Sequence, residues 1–285
     1  MNTETQTPPT ATKPKKSRKW IILILIATVL VLLLCCCVSG LGYAMYNRNK
    51  TLKNLDKKIS QVTKDFNDPY TGSSGVSGRD TKVKSSMDDN NKKDSELDTW
   101  RAGVNQKQSE FLAHNEAFNA RSGSSTDTGL VDQVNALVNE ENALYDEIVG
   151  IVSQYDGLDV AGQSLERQTS TQYDDANGIK EGMEAKRSEY QKELDIIKDK
   201  RKKLSIISLN FSKDVDFIEK GLKTIDLSSL DDTYNTLGSK MDAVEGTIKD
   251  YGKNIADRDA LKQQIQAKID RITQINQQLD QLWPA

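Results

Sequence analysis

Apolar side chains recur every seven residues along most of this chain, and that spacing predicts long helices with narrow buried seams. Leu97, Val104, Phe111 and Phe118 mark a first segment. Leu130, Leu137, Leu144, Ile151, Leu158 and Leu165 mark a second, with Val134, Ile148 and Tyr155 in the alternate seam position. A third runs through Met183, Tyr190, Ile197, Leu204, Phe211, Ile218 and Ile225. Its phase passes unchanged through SIISLNFS, which predicts one unbroken helix. The last segment carries Leu230, Leu237, Val244, Tyr251, Arg258, Ile265, Ile272 and Leu279 on one line. Tyr234, Met241, Ile248, Ile255, Lys262, Ile269, Asn276 and Trp283 fill the other line, and Pro284 stops it.

Polar breaks separate these segments. RSGSSTDTG, residues 121–129, reads as a loop, and the chain is expected to reverse near residue 168 and again near residue 227. Ser229 and Asp232 stand at capping-box spacing just beyond the second reversal. Strand alternation of comparable length is missing from the sequence. The expected fold class is therefore all-α, an elongated antiparallel coiled-coil bundle over residues 97–285 with a long hairpin over 171–283.

The pattern before residue 97 is different. Residues 20–46, WIILILIATVLVLLLCCCVSGLGYAMY, carry no charge and make about 40 Å of helix, enough to cross a bilayer. A cleaved signal peptide competes, because KPKKSRK resembles its basic start, but this apolar run exceeds the usual length of such a segment. Residues 1–19 read as a disordered basic tail. Leu52, Leu55, Ile59, Val62 and Phe66 alternate three- and four-residue steps, predicting a helical coiled-coil stalk over residues 47–66. Residues 67–96 are rich in Gly, Ser, Asp and Lys, and read as a flexible linker.

All three cysteines, Cys35, Cys36 and Cys37, fall inside the apolar run. Lipidation favours cysteines at the membrane edge, and a lipoprotein signal needs a small residue where Leu34 stands. Adjacent helical residues point about 100° apart, so one chain cannot gather the three thiols on a metal or close a relaxed disulfide. They read as small, polarizable packing side chains. Cys36, Gly40 and Ala44 form a small-residue stripe at four-residue spacing, a face on which two such helices could pack.

Charge and chemistry narrow the function. With 39 basic and 42 acidic residues, interleaved along the helices, the chain offers no basic stripe for nucleic acid beyond the membrane flanks. His114 is the single histidine and no cysteine lies outside the apolar run, so His/Cys metal sites and Ser/His or Cys/His nucleophile systems have no parts. Asp88-Asp89-Asn90-Asn91 lacks the glycine and closing glutamate of a calcium loop. No phosphate loop or dinucleotide fingerprint occurs. The expectation is a protein that is not an enzyme, with no cofactor and no metal.

Lys13, Lys15, Lys16, Arg18 and Lys19 precede the apolar run and Arg48, Lys50, Lys53, Lys57 and Lys58 follow it, nearly a tie by count. The cluster before is denser, which predicts a single-pass protein of the cell membrane, its N-terminus cytoplasmic and its C-terminal bundle extracytoplasmic. The expected partners are the membrane, other proteins of the envelope, and a second copy meeting it through the span and stalk. Such a chain would serve as a structural spacer, scaffold or docking module. The alternative is a ligand-sensing ectodomain whose helix shift reaches a separate cytoplasmic partner, because the short tail holds no output domain. Arg258 and Lys262 interrupt apolar lines, as does Glu141. With reversals at 168 and 227 they fall at one level, predicting a buried polar layer of Glu141, Arg258, Lys262 and Arg201 that fixes helix register. The alternative is that Arg258 and Lys262 snorkel to solvent.

Overall fold

A computed structural model describes residues 18–122 and 127–283. Residues 1–17 of the expected 1–19 tail, the middle of the 121–129 loop and the Pro284 stop lie outside them, while Arg18 and Lys19 of that tail are the first residues of a helix. Five helices follow in order: α1 (Arg18–Asn67), α2 (Val76–Ser122), α3 (Thr128–Lys203), α4 (Phe211–Thr224) and α5 (Leu227–Leu282). Among the described residues there is no strand, and the all-α reading stands.

Three expectations are corrected, and the heptad explains each. Residues 76–96 are not a flexible linker but the first turns of α2. The line Leu97–Val104–Phe111–Phe118 extends backwards in the same phase through Asn90, Val83 and Val76, and the companion line carries Asp80, Met87 and Asp94. Polar side chains occupy seam positions there, so a count of apolar residues misses the seam. Nor does the chain reverse near residue 168. Tyr155, Gly162, Thr169, Ala176 and Met183 form one buried seven-residue line, and α3 runs straight through. Small side chains hide the seam where the leucines stop. The third correction concerns SIISLNFS: α3 ends at Lys203, and residues 204–210 form the reversal that was expected near 227. Leu204 and Phe211 are both buried on either side of it, so the turn consumes one heptad and leaves the phase unmarked. Its Ile-Ile pair, serines and asparagine are all weak helix formers.

The chain divides into two compact units. The first comprises Met1–Thr63 and Glu193–Ile225. Here the last turns of α3 run antiparallel to α1, with Arg201 donating to Asp56 at 2.6 Å and Arg48 to the Ile206 carbonyl at 2.8 Å. Helix α4 returns parallel to α1, marked by Lys58 on Glu219 at 2.7 Å. Leu52, Leu55 and Ile59 of α1 are buried with Leu194, Ile197, Leu204, Phe211, Ile218, Leu222 and Ile225. The expected stalk thus has its apolar face covered within its own chain.

The second unit comprises Lys64–Lys192 and Asp226–Ala285. Helices α2 and α5 lie parallel, as Arg79 with Asp242 at 2.6 Å and His114 with Asp280 at 3.3 Å show. Helix α3 runs antiparallel to both: it meets α5 through Gln172 with Thr247 and Glu140 with Arg271, and α2 through Asp156 with Arg101. Leu230, Leu237, Val244, Tyr251, Arg258, Ile265, Ile272 and Leu279, the whole predicted line of α5, are buried. A tight turn leads into α2. Gly72 takes φ +91°, and a Cβ on Gly78 would stand 2.5 Å from the Gly72 carbonyl, so the glycines that resembled a linker build a turn. Next to it, the Arg187 guanidinium sits 4.1 Å from the Phe66 ring and 4.3 Å from that of Tyr70. Burial, reinforced by a hydrogen bond to Glu184, pushes the Tyr70 hydroxyl up to about 12.

Candidate functional site

The apolar half of α1 is one helix long and apolar enough to cross a membrane, with a mean hydropathy of 3.2 in its strongest stretch and none of that stretch buried in the protein. Its polar side chains bond to their own backbone. Thr28 Oγ1 donates to the Ile24 carbonyl at 2.7 Å and Ser39 Oγ to that of Cys35 at 2.8 Å, the arrangement hydrocarbon requires. Cys35, Cys36 and Cys37 are exposed and unbridged. Cys36, Gly40 and Ala44 are likewise exposed, and a Cβ added at Gly40 would meet nothing within 4 Å. Beyond the apolar run, charge resumes at Arg48, where packing begins.

The predicted polar layer is not one layer. Glu141 and Arg258 are both buried, at 1% and 0% exposure, as their seam positions require. They do not pair. Asp159 faces Arg258 across α3 and α5, and Glu141 lies 18 residues earlier on α3, about 27 Å away. The predicted alignment fails because it was built on reversals at 168 and 227. Arg201 belongs to the first unit, on Asp56. Lys262 is half-buried with its ammonium 5.8 Å from the Trp100 ring. Neither joins Glu141.

Arg258 instead gathers carboxylates that sequence reasoning missed. Nη1 donates to Asp159 Oδ1 at 2.6 Å, Nη2 donates to Asp94 Oδ1, and Asp98 Oδ1 lies 3.8 Å from Nη1. Tyr251 donates its hydroxyl to the second oxygen of Asp94 at 2.8 Å, and Asn254 donates to the Leu158 carbonyl at 2.8 Å. The Tyr155 ring lies 5.9 Å from the guanidinium. Gly162 supplies the room: a Cβ there would stand 2.7 Å from Asn254 Oδ1 and 3.1 Å from Arg258 Nη2. Burial weakens the hold of Arg258 on its proton, yet guanidinium stays charged throughout the accessible pH range. Burial, then the neighbouring Asp98 charge, raises Asp159. The carboxylates of Asp94, Asp98 and Asp159 lie within 4.8 Å of one another, a spacing that suits a cation, and the cation seated among them is Arg258 itself. Asp94 was legible in principle, since it continues the companion seam of α2 in phase.

A second layer surrounds Glu141. His114 of α2 and Asn276 of α5 face it, and both favour its ionised form, but burial outweighs them and raises its pKa. Neither carboxylate oxygen has a hydrogen bond of good geometry, and Asn276 Oδ1 and His114 Nδ1 are also buried without one. The Asn276 contribution to the Glu141 pKa is thus a close approach rather than a well-formed bond. His114 bonds Asp280 through Nε2 at 3.3 Å and stacks on Phe118. The Arg258 layer thus pairs both terminal nitrogens of its guanidinium with carboxylates, although Arg258 Nε, Asn254 Oδ1 and the Tyr155 hydroxyl are buried without a partner, whereas Glu141 has no cation and neither of its oxygens is bonded.

Comparison with protein families, with curated proteins and with solved structures finds no match for this chain.

Proposed function

We propose that the chain is a single-pass membrane protein whose helical units stand outside the cytoplasm and act as a spacer, scaffold or docking module of the cell envelope. The observation that carries this reading is α1. It runs from the apolar span into Leu52, Leu55 and Ile59 without a helix break, so the anchor and the packed core of the first unit share one element. A flexible tether would present a mobile domain, whereas a shared helix presents a positioned one. The Arg258 layer supports a positional role as well, since one guanidinium among three aspartates fixes the register of helices whose apolar lines alone tolerate sliding.

The same continuous helix favours a second reading, a sensor ectodomain that passes a helix shift inward to a separate cytoplasmic partner. A homodimer through Cys36, Gly40 and Ala44 fits either reading. It would rest on the span, because the stalk's apolar face is covered by the chain's own helices. Photo-crosslinkers placed in intact cells at exposed positions of α2 and α3, or in residues 1–19, separate the two. The spacer and docking reading predicts discrete adducts from the helical units. Adducts formed only from the tail, with a cytoplasmic protein, would replace it by the sensor.

A further inference from the structure

The reversal at residues 204–210 exposes two large apolar side chains that the first unit does not use. Leu209 is 101% exposed and Ile207 72%, while Leu204 and Phe211 on either side are 5% and 7% exposed and anchor the turn. The tip is built rather than loose. Arg48 Nη1 donates to the Ile206 carbonyl at 2.8 Å and to that of Ser208 at 3.4 Å, and its guanidinium lies 4.9 Å from the Phe211 ring. Within the turn, Ser208 N donates to the Ser205 carbonyl at 3.0 Å and Phe211 N to that of Ser208 at 3.3 Å. Leaving two such side chains in water gains nothing for the fold.

Position supplies the occupant. Along α1, contacts with the last turns of α3 step from Asp56 with Arg201 back to Arg48 with Ile206, so the tip lies at the end of this unit nearest the apolar span. Arg48 stands two residues beyond Tyr46, about 3 Å along the helix. The apolar run over residues 20–46, about 40 Å of helix, is longer than a hydrocarbon layer of about 30 Å, which puts its ends among the headgroups. Arg48 therefore holds the tip at headgroup depth. Exposed lysines flank it: Lys202 before the turn, Lys213 after it, and Lys50 and Lys53 on α1.

We propose that residues 204–210 are a second membrane contact, in which Ile207 and Leu209 enter the lipid interface beside α1 while Lys202 and Lys213 meet anionic headgroups. The contact rests on the reading of residues 20–46 as a membrane anchor. It converts a one-helix tether, free to tilt and spin, into a two-point attachment that sets the angle at which the first unit leaves the bilayer.

The test uses the full chain with Cys35 and Cys37 replaced by Ser, keeping Cys36 as an internal label site, and in parallel a form with all three replaced plus one new cysteine. The new sites are Ile207→Cys, Leu209→Cys and, as an aqueous reference on α4, the exposed Lys220→Cys. Each is labelled with an environment-sensitive fluorophore and reconstituted into vesicles of phosphatidylcholine and phosphatidylglycerol carrying lipid-bound quenchers. The proposal predicts blue-shifted emission and several-fold stronger quenching at 207 and 209 than at 220, with Cys36 quenched by deep probes. Labels at 207 and 209 that behave like 220 while Cys36 is quenched would overturn the tip contact alone, and would leave that apolar tip for a protein partner. An unquenched Cys36 would overturn the anchor and the contact together.

Discussion

Replacing Arg258 by Met keeps an unbranched apolar stem and removes the guanidinium with its charge. In the wild type the guanidinium is fully buried, Asp94 and Asp159 have side chains 11% and 24% exposed, and Asp98 is 59% exposed. Water screens Asp98, so the perturbation falls on Asp94 and Asp159, whose carboxylates are left close together without their cation. Breaking a buried pair from one side costs about 3–5 kcal/mol, and partial exposure of Asp159 argues for the lower end, about 3 kcal/mol. The second unit is of a size at which 1 kcal/mol moves Tm by about 3 °C, so the expected fall is about 9 °C. Thermal unfolding of the detergent-solubilised chain, followed by circular dichroism, measures it. The sign with pH is fixed too. Carboxylates crowded without Arg258 hold protons more tightly folded than unfolded, so the deficit of Arg258→Met shrinks as pH falls. Adding Asp94→Asn removes the strongest repulsion and restores about half the loss, a coupling that a simple cavity would not show. A variant with unchanged Tm, or one in which Asp94→Asn deepens the loss additively, would refute the assignment of Arg258 as the centre of this layer.

Replacing Glu141 has the opposite effect on stability from replacing Arg258, while the pH dependence keeps the same direction. The folded pKa of Glu141 is raised by burial, so the native state binds a proton more tightly and stability falls as pH rises through the window between the unfolded and the folded values. Glu141→Gln should stabilise by about 1–2 kcal/mol at neutral pH, with the gain vanishing in acid, as urea midpoints at several pH values would show. Two glycines of α3 separate space from propensity: Gly157→Ala, with nothing within 4 Å of the new Cβ, should raise stability by about 0.5–1 kcal/mol, while Gly162→Ala should lower it by pressing on Asn254 and Arg258. Changing Cys35, Cys36 and Cys37 together to Ala should leave retention in carbonate-washed membranes unchanged, whereas release of the variant would reinstate a lipid at that triplet.

Seven-residue periodicity made much of this fold legible. Every member of the first α5 line, Arg258 included, is buried where the pattern puts it. The same period concealed the turns. Gly162, Thr169 and Ala176 keep the seam of α3 without looking apolar, so a helix of 76 residues was divided in two. Residues 204–210 did the reverse, spending one heptad on a reversal and leaving no break in phase. The polar seam of α2 was hidden for a third reason, because Asp80 and Asp94 are tolerable there only with partners far along the chain. Lys180 and Tyr173 hold Asp80 at 2.7 Å each, and Arg258 with Tyr251 holds Asp94. Seam positions that must be ionic were visible from one helix, but their partners were not, since pairing depends on a register that small residues and turns conceal.

Whether α1 anchors the chain in the cell membrane with its helical units outside, as proposed above, is decided by protease added to sealed cells before and after the membrane is permeabilised, with fragments followed by antibodies to the tail and to α5. The expected result is that α5 is digested in sealed cells while a membrane-embedded piece containing the intact tail survives until permeabilisation. An α5 that resists protease until the cells are opened, with the tail cleaved from outside, would contradict it.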